Sequence, residues 1–315
     1  MEKDSRILVL GYRGLIGGAI HLKLAQLGYA PRHAPGRINS LSGALATLGD
    51  AEYVFLAAGV GGGIQKNLCV PADLASDTLR LLTHVFRAAH LRRVRRLIWF
   101  ACACVYPMLD RPVMEADLWA GPLEPTSRAF AAANLAGIEL TRAYNQQYGT
   151  EYLALCPPTV YGPADDFSED GHVLAAMIRK LHDAKVTGAH EVTFWGSGGQ
   201  RRQFLYVEDL AEFAAQVMRV RSEAFRSLTP LLNVAGDPSY PLGDVAALVS
   251  EVVGYRGRIR WDANQPEGAP SKEIMGKRGP GVFVTPLRDG MKRTYAWYVA
   301  RVLPGAGKNA AEASA

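Results

Sequence analysis

No apolar run in this sequence approaches the roughly 20 residues needed to cross a bilayer. The charged, polar start Met1-Glu2-Lys3-Asp4-Ser5-Arg6 lacks the apolar stretch of a secretory signal. The expectation is a cytoplasmic protein with no membrane partner. Cysteine is scarce: Cys69, Cys102, Cys104 and Cys156 show no zinc-ribbon spacing and only one close pair, a C-x-C, which predicts reduced thiols rather than a disulfide framework. Charge is neither abundant nor one-sided, with 21% charged residues and a net +5. Part of the excess sits in Arg92-Arg93-Val94-Arg95-Arg96, which has no interleaved aromatics and no nucleic-acid motif around it. It reads as a solvated helix end leading into a strand, and no nucleic-acid partner is expected. Internal repeats are absent. The 49% of hydrophobic residues leaves ample material for the core of one large or two coupled domains.

What is present alternates. Arg6 to Leu10 is a short apolar run that enters Gly11-Tyr12-Arg13-Gly14-Leu15-Ile16-Gly17, and Ala19 to Leu27 then reads as an amphipathic helix. Buried strands are predicted at Tyr53 to Ala58, Arg96 to Ala101 and Tyr152 to Cys156, with helical patterns at Ala72 to Ala89 and Ala129 to Tyr148 between them. Strand and helix in alternation predict an α/β fold with a doubly wound parallel sheet of the Rossmann type. After Tyr161-Gly162-Pro163 the texture changes to a polar loop, a helix from His172 to about Ala184 and an isolated Val192-to-Gly196 segment. The predicted division is a dinucleotide-binding domain over 1–162 and a mainly substrate-binding domain over 163–302. Phe204 to Val220 and Leu232 to Val234 return to the sheet, and a disordered tail fills 303–315.

Gly11, Gly14 and Gly17 fall between a predicted strand and a predicted helix, the context in which a glycine turn brings backbone N–H groups and a helix dipole to a pyrophosphate. The acidic residue that usually holds the ribose of NAD is missing; Tyr29 to Arg37 offers instead two prolines, which weaken a second strand, and two arginines. Arg13, Arg32 or Arg37 could meet a 2′-phosphate, so NADP is favoured over NAD, beside the equally open reading of an eroded, vestigial site.

Taken together, the glycine turn, Leu56-Ala57-Ala58-Gly59-Val60-Gly61-Gly62, Cys104-Val105-Tyr106-Pro107, Leu123-Glu124-Pro125-Thr126, Tyr144 to Gly149, Tyr161-Gly162-Pro163 and Trp195-Gly196-Ser197-Gly198 make the chain resemble the NAD-dependent epimerase/dehydratase family of extended short-chain dehydrogenases/reductases. Within that family they resemble its GDP-L-fucose synthase branch (3,5-epimerase/4-reductase). The resemblance runs from about residue 6 to about residue 300 and implies hydride chemistry supported by a Ser, a Tyr and a Lys. At the matching positions stand Cys102, Phe130 and Asn134. A phenyl ring has no proton to exchange, and a neutral amide supplies no positive charge to tune a phenol, so hydride transfer is not expected.

The sugar-nucleotide side is retained. The resemblance implies Cys104 and His172 as an acid/base pair for epimerisation, and Trp195, Arg202 and Lys272 as contacts to a GDP-sugar. Read without the family, Cys104 is a small buried residue, His172 a helix-start residue, Trp195 a core aromatic, and Arg202 and Lys272 are surface charges. The loop from Asp165 to His172 adds four carboxylates (Asp165, Asp166, Glu169, Asp170) to that histidine, a set suited to Mg²⁺ or Mn²⁺ against a diphosphate, or simply to solvent. The leading expectation is a non-redox, metal-dependent pyranose/furanose mutase of a GDP-hexose in an antibiotic or surface-glycan pathway. The alternatives are a stand-alone 3,5-epimerase of a 4-keto GDP-sugar and a silent scaffold. A homodimer is expected through the helices that follow the third and fourth strands, as is common in the resembled family.

Overall fold

The computed structural model describes residues 1–303 except 35–37, 60, 169–170, 229, 267 and 278–283. The first half alternates strictly: β1 (Ile7–Leu10), α1 (Leu15–Gln26), β2 (Arg32–Ala34), α2 (Leu41–Leu48), β3 (Tyr53–Leu56), α3 (Ile64–Cys69), α4 (Pro71–Leu91), β4 (Arg96–Phe100), α5 (Arg128–Tyr148) and β5 (Glu151–Cys156). There follow β6 (Thr159–Tyr161), α6 (Val173–Thr187), β7 (Glu191–Trp195), β8 (Arg201–Arg202), β9 (Phe204–Tyr206), α7 (Val207–Arg219), α8 (Ser222–Arg226) and β10 (Leu231–Asn233). The remaining elements are β11 (Tyr240–Pro241), α9 (Leu242–Val253), β12 (Arg258–Asp262), β13 (Ser271–Lys272) and α10 (Leu287–Arg301).

Six strands form one parallel sheet in the order β10-β5-β4-β3-β1-β2. Because side chains alternate across a strand, Leu8, Leu10, Val54 and Leu56 join one apolar cluster with α2, α4 and α5, while Ile7, Val9, Tyr53 and Phe55 join the opposite cluster with α1 and α7. That two-sided burial is why these strands read as continuous apolar runs. The expected doubly wound sheet is therefore present, and the segment expected to return to it at Leu232 to Val234 does so as β10 (Leu231–Asn233), at one edge. Phe204–Tyr206 instead pairs with β6 in a separate two-stranded ribbon, leaving α7 to pack on α1. At the other edge β2 is only three residues long, in keeping with Pro31 before it.

A third cluster, built from residues 161 to 298, wraps Tyr161, Leu174, Ile178, Phe204, Val245 and Met291. It motivates our proposal that the chain divides near Gly162 into a nucleotide half and a substrate half. The part of the tail at 304–315 lies outside the described residues.

In the arginine cluster Arg92, Arg93 and Arg95 are exposed at the helix end, as expected, and Arg96 at the start of β4 is buried. Arg96 is only 3% exposed. Its Nε donates to Glu151 at 2.6 Å, and its other nitrogens reach the Met218 and Val220 carbonyls and Ser222 Oγ. This guanidinium ties the start of β4 to β5 and to the segment after α7, a job that charge counting along the sequence does not reveal. No helix among the described residues is long and apolar enough to cross a membrane.

Candidate functional site

The strand order reverses between β1 and β3, the place in an open parallel sheet where loops part and leave a crevice. Gly11 leaves β1 at φ +82°, and a Cβ there would lie 2.5 Å from the Ala57 carbonyl oxygen. Gly17 turns its bare Cα onto the Gly11–Tyr12 peptide, with Gly14 N–H donating to Gly11 O at 2.9 Å in between. Gly14 caps α1 without a side chain and no acidic residue occupies the first turn, so the helix start offers free N–H groups and a favourable dipole to an anion. These residues fit the pyrophosphate of a dinucleotide. Of the three arginines considered for a 2′-phosphate, Arg32 is paired with Asp50 at 2.7 Å, Arg37 lies outside the described residues, and Arg13 lies beside Tyr12 in the turn itself. Tyr12 in turn stacks on His33 at 3.8 Å between ring centroids.

Beyond β4 the chain makes a short 3₁₀ turn, Ala103–Val105, that packs on α5. The turn holds the Cα atoms of Cys102 and Cys104 5.3 Å apart, within disulfide reach, and the two sulfurs are bonded. The expectation of reduced thiols fails here: a C-x-C folded into a tight turn has both side chains on one side. Cys69 and Cys156 are free, Cys156 fully buried with its thiol pushed up by burial. Cys104 is buried, as its bland reading held. On the facing helix Asn134, 3% exposed, donates its amide to the Phe130 carbonyl at 2.9 Å. The amide thus caps its own helix backbone, and neither side chain presents a titratable proton.

Ala103, Tyr106, Glu124, Ser271, Lys272 and Glu273 line one pocket. Arg202 and Lys272 are register partners on β8 and β13. The Arg202 guanidinium donates to the Ala269 carbonyl at 2.9 Å, and Lys272 Nζ lies 3.9 Å from Glu124 Oε2. Burial, then the neighbouring Arg202, lowers the Lys272 pKa against the pull of Glu124. Burial works to raise the pKa of Glu124, but hydrogen bonds from Thr126 and Ser127 prevail and hold it low. Lys272 and the fixed Glu124 carboxylate thus share a pocket with Ala103 of the disulfide turn, and Arg202 is the register partner of Lys272 across β8 and β13, an arrangement able to receive a diphosphate.

His172 is the N-cap residue of α6, and its ring faces the glycine loop: its Cε1 is 4.0 Å from where a Gly61 Cβ would stand. The residue is open to solvent on one side, yet enough protein surrounds the imidazole that desolvation lowers its pKa, with Asp166 opposing. Asp166 also feels Lys66 of α3. Because Ile64 on the same helix approaches Gly268 next to Arg202, α3 borders both the histidine group and the lysine group.

Two expectations are narrowed. Asp165 and Asp166 do not converge into a cage: Asp165 is buried, accepts the Asp166 N–H at 2.8 Å, leaves one oxygen unpartnered, and has its pKa pushed up to about 7 by burial. Asp166 turns to Ser168 N–H at 2.9 Å. Glu169 and Asp170 lie outside the described residues, and among those described no group of three His, Cys, Asp or Glu side chains is arranged for a metal. Trp195 stands at the end of β7, 44% exposed rather than in the core, and joins neither cluster through the described hydrogen bonds, ion pairs or ring contacts. Sequence reasoning missed Lys66 and the role of Glu124. Glu124 carried a signal, its place one residue before Pro125 at a helix start; Lys66 carried none, since the short α3 follows a glycine-rich loop.

A model of the NAD dependent epimerase/dehydratase family matches residues 7–227. A putative GDP-L-fucose synthase 2 of Arabidopsis thaliana is 36% identical over 96% of this chain and 94% of its own. GDP-L-fucose synthase of Escherichia coli (strain K12) is 35% identical over 93% and 96%. Among solved structures, a GDP-mannoheptose C4 reductase from Campylobacter jejuni with NADP bound superimposes with a TM-score of 0.80 at 25% identity, over 95% of this chain and 99% of that one.

Proposed function

This chain belongs to the NAD dependent epimerase/dehydratase family, and from that premise we propose that it is an epimerase of a 4-keto GDP-sugar that has given up hydride transfer. One observation carries the reading: the helix that should present a proton-exchanging phenol and a cation presents Phe130 and an Asn134 amide bound to its own backbone, while the cation pair Arg202 and Lys272 and the His172 cleft persist. Loss of the phenol alone is expected to cost about 10²–10⁴ in acid/base rate.

In the proposed mechanism Lys272 and Arg202 receive the diphosphate. The ketone at C4 acidifies the C–H bonds at C3 and C5, so inversion needs only proton removal and return on opposite faces. His172, kept neutral by its surroundings, is assigned as base, and Cys104, as a thiol, is assigned as the acid. Gly11, Arg13, Gly14 and Gly17 would hold NADP, which when bound supplies or accepts hydride. This chain's residues offer the accompanying oxygen no proton at positions 130 and 134, so NADP is proposed as a structural occupant. The relatives are named GDP-L-fucose synthases and a GDP-mannoheptose C4 reductase, none a pyranose/furanose mutase, and on that support the epimerase reading takes first place.

The test is incubation of the reduced protein with GDP-4-keto-6-deoxymannose in D₂O, read by NMR. Deuterium entering at C3 and C5 only when protein is present supports the reading. An unlabelled substrate after prolonged incubation removes it.

A further inference from the structure

The reading above needs Cys104 as a thiol, and the structure shows its sulfur bonded to Cys102. We propose that the Cys102–Cys104 pair is a redox modification site that gates this active site, oxidised and closed to catalysis as a disulfide, open as a dithiol; the proposal rests on the epimerase reading for its functional half. Three observations converge on it. The bonded pair flanks Ala103, which lines the same pocket as Lys272 and Glu124, so the bond lies at the substrate position rather than at a remote structural staple. The bond closes a loop of only three residues inside a 3₁₀ turn already anchored on α5. Since disulfide stabilisation by chain entropy grows with loop length, this one contributes little to holding the fold. Finally, Cys102 is partly exposed whereas Cys104 is 8% exposed, so of the two residues Cys102 is the more open to an incoming thiolate.

The exchange balances with a dithiol as reductant. One thiolate of the dithiol attacks Cys102 Sγ, the Cys102–Cys104 bond breaks, and Cys104 departs as a thiolate that takes a proton from solvent. The second thiol of the reductant then displaces Cys102, leaving two protein thiols and one oxidised, cyclic disulfide. The reverse exchange with a small disulfide closes the site. Cys104 alternates between a sulfur that carries an acidic proton and one that carries none.

The experiment uses the full chain in three forms: oxidised in a small-molecule disulfide buffer, reduced with dithiothreitol and desalted without air, and Cys102→Ser. Alkylation followed by peptide mass analysis reports the bond and tells it by mass from mixed disulfides with the buffer, which exposed Cys69 forms. Deuterium entry at C3 and C5 of the 4-keto substrate reports turnover. The expected result is protection of Cys102 and Cys104 from alkylation and a loss of exchange of at least about 100-fold in the oxidised form. Reduction should recover both, and Cys102→Ser should exchange at one rate with or without reductant; Cys102→Ala serves should the serine variant fail to fold. Exchange at the reduced rate in protein whose bond is verified by mass overturns the gate and leaves the epimerase reading standing. So does full alkylation of both cysteines after oxidation. Inactivity of oxidised, reduced and Cys102-substituted protein alike overturns the epimerase reading and the gate with it.

Discussion

Replacing Gly17 by alanine puts one methyl group into a place the structure has filled with backbone. A Cβ there would sit 2.5 Å from the Gly11 carbonyl carbon and 2.9 Å from Tyr12 N, with the Gly11 oxygen nearer still. Carbon and oxygen ordinarily approach no closer than about 3.3 Å, so α1 and the turn must separate by roughly 1 Å. Neither side yields easily, because β1 is pinned between β2 and β3 and α1 is packed on α7. Overpacking of this kind costs about 1–3 kcal/mol, and at about 2–4 °C per kcal/mol for chains somewhat shorter than this one the Tm falls by several degrees. Gly14→Ala is the control. Its Cβ would lie 3.4 Å from Gly11 O with an extended backbone, so the cost is a lesser one, that of a poorer N-cap. Thermal unfolding with and without NADP separates fold from site: the wild type and Gly14→Ala should gain stability from the dinucleotide, and Gly17→Ala should gain little. A Gly17→Ala protein as stable and as NADP-responsive as the wild type would refute the claim that this turn is a close-packed pyrophosphate cradle.

Exchange should fall on acidification as His172 takes up a proton, and because desolvation lowers its pKa below the ordinary 6.5, the acid limb of the pH profile should lie below that value. Asp166→Asn removes the charge that raises it, so the limb should move to still lower pH; a shift upward contradicts the assignment. Arg96→Met takes from buried Glu151 its buried cation, leaving it Ser222 and the mostly exposed Arg226, and should cost about 3–5 kcal/mol in denaturant unfolding, most of it recovered when Glu151→Leu is added. No proposed step passes through a metal, so exchange should survive exhaustive EDTA treatment; abolition by EDTA and rescue by Mn²⁺ would return the mutase reading to first place.

The sheet was legible because its strands are buried on both faces, which gives unmistakable apolar runs at Ile7–Leu10, Tyr53–Leu56 and Arg96–Phe100, and because glycines at 11, 14 and 17 punctuate the first crossover. Which residues stand at 102, 130 and 134, where the resemblance implies Ser, Tyr and Lys, was likewise readable from the sequence; that hydride transfer is lost with them is part of the proposal. What sequence could not supply was partnership. Arg96 looks like one more surface arginine until Glu151, 55 positions away, is seen beside it. Asp165 reads in the sequence as one more loop carboxylate, and nothing there tells of its burial or of its bond from Asp166 N–H. Cys102 and Cys104 look like separate reduced thiols because spacing along the chain says nothing of the 3₁₀ turn that folds them together.

The central claim, a sugar-nucleotide site that moves protons without moving hydride, is tested most directly in one cuvette. Reduced protein, GDP-4-keto-6-deoxymannose and NADPH are combined in D₂O, with nicotinamide absorbance and substrate NMR followed together. The account predicts deuterium at C3 and C5 with NADPH unconsumed, since Phe130 and Asn134 provide no proton relay. Stoichiometric, protein-dependent oxidation of NADPH would contradict it.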